Sequence, residues 1–182
     1  MKKRIFVLTA LFAGTAQAGL VSEMEGNDTL ATANDLGLFS APGGSVLVDG
    51  VIGDNDVDWF QFTLDNDASL SVFAAFATGP GADGVLQIVA SGGDVIAFDD
   101  DSGIGLMPAI SLNTLTAGTY FVGLSGFGDA GSGSVDTDEL FDGQGHSENY
   151  GYKLNIGFTV VPAPGALALL GMGGLAVARR RR

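Results

Sequence analysis

Three segments of this 182-residue chain concentrate acidic and amide side chains at short spacing. They lie at 23–28, at 53–60 and at 98–103. Oxygen ligands of this kind suit calcium, which takes roughly six to eight oxygens at about 2.3–2.6 Å. Alternating acids on a tight loop can converge on one ion, whereas a regular strand sends them all to one face. These residues therefore predict calcium as a cofactor, and a solvated acidic surface is the alternative.

Other kinds of site fit the sequence less well. Zinc and copper are disfavoured because the chain has no cysteine and one histidine, His146. The acids from Asp54 onward begin like an EF-hand loop but lack its later glycine and glutamate. His146 lies in a Gly/Ser-rich segment, where a lone histidine is usually solvated, and its neighbours form no triad. We predict no catalytic residue and a protein that is not an enzyme.

Charge is divided unevenly along the chain. Lys153 is the only basic residue in the segment 19–160, which carries all 21 acids. Nothing in that segment can neutralise phosphates, which excludes nucleic acid as a partner. Without cysteines, a domain of this segment depends on its core or on a metal for stability. The segment is long enough for one ordinary domain with a sizeable core.

The central segment alternates apolar and polar residues in short runs separated by turn residues, which predicts β-strands. Strands are expected at 46–52, 58–64, 70–76, 85–90, 95–98, 110–115, 119–124 and 150–158. A turn or two of helix is expected at 29–36, with Asp28 as N-cap and Gly37 closing it. The pattern predicts an all-β fold, an antiparallel β-sandwich or jelly-roll-like domain. The long Gly/Ser/Asp segment 126–147 is expected to be functional or mobile.

The N-terminus has the parts of a secretory signal peptide. Basic residues at 2–4 precede an apolar run, and a small-x-small cleavage site follows at 16–18. The apolar run is too short to span a hydrocarbon core of about 30 Å. Residues 1–18 are therefore predicted to be a signal peptide, with the mature protein beginning at Gly19.

The C-terminus combines three features in a fixed order. Pro162 and Pro164 precede an uncharged stretch at 165–178, and arginines occupy 179–182. The stretch predicts a short transmembrane helix whose arginines stay cytoplasmic. This order resembles the PEP-CTERM sorting signal of Gram-negative bacteria, although Ala163 replaces the commonest Glu. The resemblance implies a sorting and anchor segment at 161–182, with an exosortase-type sorting enzyme as partner.

The segment from about 21 to 158 resembles a second family, the bacterial pre-peptidase C-terminal domain. That domain is a β-sandwich commonly appended to secreted peptidases and collagenases. The resemblance rests on Glu-x-Glu-x-Asn-Asp-Thr from position 23, Asp-Trp-Phe-x-Phe at 58–62 and Leu-x-Ala-Gly-Thr-Tyr-x-Val at 115–122. It implies a β-sandwich domain at 19–160. Carried over by position, the calcium ligands of the family are Glu23, Glu25, Asn27, Asp28, Asp56 and Asp58.

These features predict an exported, non-enzymatic protein of the cell envelope, outer surface or extracellular matrix. We expect calcium to stabilise its β-sandwich and the C-terminal segment to anchor it transiently in the inner membrane. The alternative is a binding module for extracellular polysaccharide or a surface protein. Trp59 and the segment 126–147 are the candidate contacts for that alternative, although Trp59 also suits the core.

Overall fold

The computed structural model describes residues 17–78, 81–129 and 139–162. Within these ranges the chain forms ten β-strands, and no helix long and apolar enough to cross a membrane occurs there. In chain order the strands are β1 (Gln17–Ser22), β2 (Asn34–Phe39), β3 (Gly43–Ile52), β4 (Val57–Leu64), β5 (Ala68–Thr78), β6 (Gly84–Ala90), β7 (Val95–Asp99), β8 (Ala109–Leu115), β9 (Gly118–Gly126) and β10 (Tyr150–Val160).

The strands form two five-stranded sheets that pack face to face as a sandwich. The first sheet has the order β1-β3-β10-β5-β8, and the second has the order β2-β4-β9-β6-β7. Neighbouring strands are antiparallel except at one edge of each sheet, where β1 joins β3 and β2 joins β4 in parallel. The all-β sandwich predicted from the sequence is therefore confirmed, but the expectation of wholly antiparallel sheets is wrong at both edges.

Alternating side chains of the central strands fill the space between the sheets. Phe60 and Phe62 of β4, Val72 of β5, and Leu154 and Ile156 of β10 are fully buried in one cluster. Burial of side chains of this size contributes about 1.5–3 kcal/mol each. This core fixes the position of the neighbouring polar residues at the ends of the same strands.

A smaller apolar cluster covers the other face of the second sheet. Trp59 is 1% exposed there, and its ring lies 6.2 Å from that of Phe141, centroid to centroid. Phe141 belongs to the segment 139–146, which we call the strap. Gln87 on β6 fixes the strap, because its Nε2 donates to the Glu139 carbonyl at 2.6 Å and its Oε1 accepts from the Phe141 amide at 3.3 Å. Trp59 is therefore a packed residue and not an exposed platform.

All eight strands expected from the sequence are present, with ends that differ by up to three residues. The helix expected at 29–36 is wrong. The Thr32 amide donates to the Thr29 carbonyl at 3.0 Å in a single turn, and β2 then begins at Asn34. Pairing with β4 overrides the local helical tendency, since Leu36 packs against the main core and Phe39 is buried.

Both predicted sorting signals lie largely outside the described residues. The described chain starts at Gln17, so β1 begins two residues before the expected mature start at Gly19. Residues 163–182 of the expected anchor and residues 130–138 of the long loop also lie outside the described ranges.

Candidate metal centre

Three carboxylates from distant parts of the sequence meet at one end of the sandwich. Asp58 points inward from β4 and has no exposed surface, while Glu23 and Glu25 follow β1. One carboxylate oxygen from each of the three lies within 4.8 Å of the others. This group, which we call the three-carboxylate group, combines Glu23, Glu25 and Asp58.

Two members of the group have one oxygen fixed by the fold and one oxygen left over. The Val51 amide donates to Glu23 Oε2 at 2.9 Å, and the Tyr152 hydroxyl donates to Asp58 Oδ2 at 2.7 Å. Glu23 Oε1 and Asp58 Oδ1 are buried without a hydrogen-bond partner in the described part of the chain. Buried polar atoms are nearly always paired, so these two orphaned oxygens need a partner. A hydrogen bond between Glu23 and Asp58 partly offsets the effect of burial on the pKa of Glu23, so a shared proton and a bound cation are the two ways to pair them.

Asn27 adds a third orphaned oxygen at the same end of β4. Its backbone carbonyl accepts from the Trp59 amide at 3.0 Å, and its Nδ2 donates to the Trp59 carbonyl at 3.4 Å. These bonds hold Asn27 next to the residue that follows Asp58. The Asn27 side chain has no exposed surface, and its Oδ1 has no partner among the described residues.

A glycine on β3 leaves room for the group. Gly50 stands opposite Tyr152 in the sheet register. A Cβ atom built on Gly50 would collide with the Tyr152 hydroxyl and with Glu23 Oε2. The absence of a side chain at this position therefore allows the carboxylate of Glu23 and the hydroxyl of Tyr152 to reach the same end of the sandwich.

Burial and mutual repulsion make the ionised form of the group costly. Burial, and then the charge of Glu23, raise the pKa of Asp58 to about 8, although the Tyr152 hydrogen bond opposes the rise. Burial likewise raises the pKa of Glu23 above its usual range, and the charge of Glu25 contributes. Burial and the charge of Asp58 raise the pKa of Tyr152 well above its usual range, so its hydroxyl stays a donor. A bound cation would reverse this cost, because an opposite charge favours the carboxylate form.

The other two residues of the predicted ligand set are placed differently. Asp56 Oδ2 accepts from the Gly53 amide at 2.7 Å and closes the turn before β4, although the Asp56 charge still raises the pKa of Asp58. Asp28 is exposed and lies outside the three-carboxylate group. The donors that the structure gathers are carboxylate oxygens and one amide oxygen nearby, and this set fits calcium.

A second acidic group forms around the run of aspartates at 99–101. Asp100 and Asp101 lie within reach of Asp83, a residue that the sequence analysis did not single out. Burial, and then the charges of Asp100 and Asp101, raise the pKa of Asp83 to about 6. Asp99 instead caps the loop, because its carboxylate accepts from the Ser102 amide at 3.1 Å and the Ala109 amide at 2.7 Å.

His146 is buried, so its expected exposure to solvent is wrong. Its Nε2 lies 2.8 Å from the Asp56 carbonyl oxygen, and its Nδ1 accepts from the Glu148 amide at 3.3 Å. The Ser125 hydroxyl lies 2.6 Å from Asp129 Oδ2 and 3.2 Å from His146 Nε2. Ser125 has no exposed surface, so this network holds the strap against the turn before β4 and offers no nucleophile to a substrate. No local sequence signal indicated a contact between residues 90 positions apart.

Comparison with curated proteins gives no match. Among solved structures, the pre-peptidase C-terminal domain of a Bacillus anthracis collagenase is 12% identical, with a TM-score of 0.45 over 68% of this chain and 93% of that one. The Aeromonas hydrophila protein PliG, a periplasmic inhibitor of g-type lysozyme, is 12% identical, with a TM-score of 0.42 over 69% of this chain and 99% of that one. The family model of the bacterial pre-peptidase C-terminal domain matches residues 56–126. This segment contains Asp56, Asp58 and the strands β4 to β9.

Proposed function

We propose that this chain is an exported, non-enzymatic β-sandwich protein that calcium stabilises at the three-carboxylate group. The observation that carries the proposal is the set of buried oxygens without partners on Glu23, Asn27 and Asp58. A solvated acidic surface does not explain them, because water would reach and satisfy exposed oxygens. Calcium needs several oxygens of this type and would compensate the crowded negative charge.

The position of the group indicates what the ion would stabilise. Glu23 and Glu25 lie on the segment that follows the edge strand β1, whereas Asp58 lies on β4 of the opposite sheet. An ion that binds all three would tie the N-terminal segment to both sheets. Since the chain has no disulfide to do this, the ion would replace a covalent crosslink in an exported domain.

The test is the thermal unfolding of the full chain with millimolar calcium and with EGTA. A ligand that binds only the folded state at about 100 times its Kd adds roughly 2.7 kcal/mol, or a Tm increase of roughly 5–11 °C for a domain of this size. Glu25→Gln should abolish most of the increase, because Glu25 is exposed and its replacement removes a ligand without disturbing the core.

Asp28→Asn is the matched control, since it removes the same charge from an exposed residue outside the group. It should leave the calcium-dependent increase intact. Equal increases in Glu25→Gln and the unchanged chain would contradict the proposed site. An increase that magnesium or sodium chloride reproduces in full would point to screening of a charged surface instead.

Delivery to the cell surface is the second half of the proposal. It rests on the signal-peptide pattern at 1–18 and on the order of prolines, apolar stretch and arginines at 161–182. We expect the mature N-terminus at Gly19, checked by mass spectrometry of the chain from a Gram-negative host that contains an exosortase. Deletion of residues 179–182 should change its distribution among membrane, surface and medium fractions. Identical distributions would contradict sorting through this segment.

A further inference from the structure

A shallow trough crosses the outer face of the first sheet, on the side away from the core. Its volume is about 380 Å³, and Gly44 and Gly157 leave the backbone open along it. No charged side chain lines the trough. The polar residues that line it carry only hydroxyl or amide groups, and they are Ser69, Ser71, Ser111, Asn113 and Thr159.

The register of the strands makes the trough a continuous feature. One row of aligned residues crosses four strands, from β3 to β8: Ser45, Gly157, Ser71 and Ser111. The next row contains Asn155 on β10 and Phe73 on β5. Phe73 is 44% exposed, so an aromatic ring stands at the margin of the hydroxyl-lined row.

The polar groups of the trough are available to a ligand. Ser71, Ser111 and Asn113 are exposed, and within the described part of the chain their side chains make no hydrogen bond. Hydroxyl groups both donate and accept, and the amide of Asn113 adds two donors and an acceptor. The face therefore offers several side chains that are free to form hydrogen bonds, on strands about 4.8 Å apart.

The neutrality of this face is unusual for the chain. All 21 acids lie between positions 23 and 148, yet the five strands of the first sheet contain only two charged residues, Asp49 and Lys153. These two form an ion pair with each other. The surrounding negative field disfavours an anionic polymer and a second copy of this chain, and a cationic partner would be attracted to the acids instead.

We propose that the trough binds an uncharged polysaccharide. Ser71, Ser111 and Asn113 exchange hydrogen bonds with sugar hydroxyls, and the ring of Phe73 packs against the apolar face of a neighbouring sugar. Water occupies these groups when the polymer is absent, and direct hydrogen bonds replace it on binding. The inference goes beyond the calcium site, because the trough lies on the outer face and uses none of the metal-binding residues.

The experiment is sedimentation of the full chain with insoluble cellulose, insoluble β-1,3-glucan and starch granules, in millimolar calcium and in a detergent without a sugar headgroup. At least one of these neutral polymers should retain the chain. Ser71→Asp should weaken retention by roughly tenfold or more, because a carboxylate cannot donate a hydrogen bond as the hydroxyl does and must lose bound water when the polymer covers it. Ser147→Asp is the matched control, because it adds the same charge at an exposed serine that does not line the trough, and it should bind like the unchanged chain.

Phe73→Ser is a second variant that adds no charge, and it should also weaken retention. Equal Tm values for all variants exclude unfolding as the cause. Failure of all three neutral polymers to retain the chain, or equal retention by Ser71→Asp and the unchanged chain, would overturn the proposal. A dimer abolished by Phe73→Ser would likewise overturn it and assign the face to self-association.

Discussion

Replacement of Asp58 by asparagine should stabilise the calcium-free protein and weaken its stabilisation by calcium. The asparagine would keep the size of the side chain and an oxygen that accepts from the Tyr152 hydroxyl, now 2.7 Å from Asp58 Oδ2. It would remove the negative charge that faces Glu23 and Glu25. The calcium-free protein should therefore gain stability at alkaline pH, while the calcium-bound protein should lose a ligand.

The calcium-free effect follows from the pKa of Asp58, which rises from 3.8 to about 8 in the folded protein. The folded state then holds a proton that the unfolded state releases, so stability falls as pH rises from about 4 to about 8. Each unit of pKa difference corresponds to about 1.4 kcal/mol, so the total cost at pH 8 is on the order of several kcal/mol. Asp58→Asn avoids this cost and should be more stable than the unchanged chain in EGTA at pH 8, by at least about 2 kcal/mol.

The same substitution should lower the stabilisation that calcium provides. The ion compensates the repulsion among the three carboxylates and adds roughly 2.7 kcal/mol at about 100 times its Kd. Asp58→Asn lacks a carboxylate ligand, so most of that increment should disappear. The stability advantage of Asp58→Asn over the unchanged chain in EGTA should therefore shrink or reverse in millimolar calcium at the same pH.

Urea unfolding of both proteins at pH 5 and pH 8, with EGTA or calcium, measures all of these differences. Asp28→Asn serves as the control for loss of one exposed charge and should follow the unchanged chain throughout. If Asp58→Asn is less stable than the unchanged chain in EGTA at pH 8, then burial of the carboxylate and repulsion from its neighbours do not determine the stability at this position. If it keeps the full calcium increment, Asp58 is not a ligand.

Three further predictions follow from other contacts. Calcium binding between about pH 6 and pH 8 should release protons, because burial raises the pKa values of Asp58 and Glu23; equal calorimetric heats in buffers of different ionisation enthalpy would contradict this. Gly123→Ala should destabilise by roughly 1–3 kcal/mol or more in urea, since its Cβ would stand 2.6 Å from the Trp59 ring, whereas Gly92→Ala, with its nearest contact at 3.5 Å, should be almost neutral. Asp129→Ala removes the acceptor for the Gly143 amide at 3.0 Å, so the strap should loosen and Trp59 emission should shift to longer wavelength, and unchanged emission would refute that role.

The central strands were predictable because their alternation is local. Phe60, Phe62 and Leu64 recur at every second residue, as do Leu154 and Ile156 on β10, and all five are buried. The two edge strands that pair in parallel, β1 and β2, carry no such signal. β2 has a mixed exposure pattern and a positive-φ glycine, Gly37, in its middle, so only its pairing with β4 makes it a strand.

The candidate site was predictable only in part, because spacing in sequence does not say which way a side chain points. Glu23, Glu25 and Asp58, which the resemblance to the pre-peptidase C-terminal domain brought together as candidates, do lie close to one another. Asp56 lies in the same loop, yet one of its oxygens is committed to the Gly53 amide. The burial of His146 depends on a carbonyl 90 residues away, and no pattern within its own segment reports that contact.

The choice between a calcium site and a solvated acidic surface can be argued residue by residue. Asp28 is exposed and lies outside the three-carboxylate group, so a solvated surface accounts for it. Asp58 has no exposed surface, and an unpaired buried charge costs several kcal/mol, so solvation cannot be its role. The fold nevertheless fixes one oxygen of Asp58 with Tyr152 and one oxygen of Glu23 with Val51, and the other oxygen of each is buried. A cation would satisfy both oxygens, and it would remove the repulsion between the carboxylates above about pH 8, where Asp58 loses the proton that burial otherwise retains.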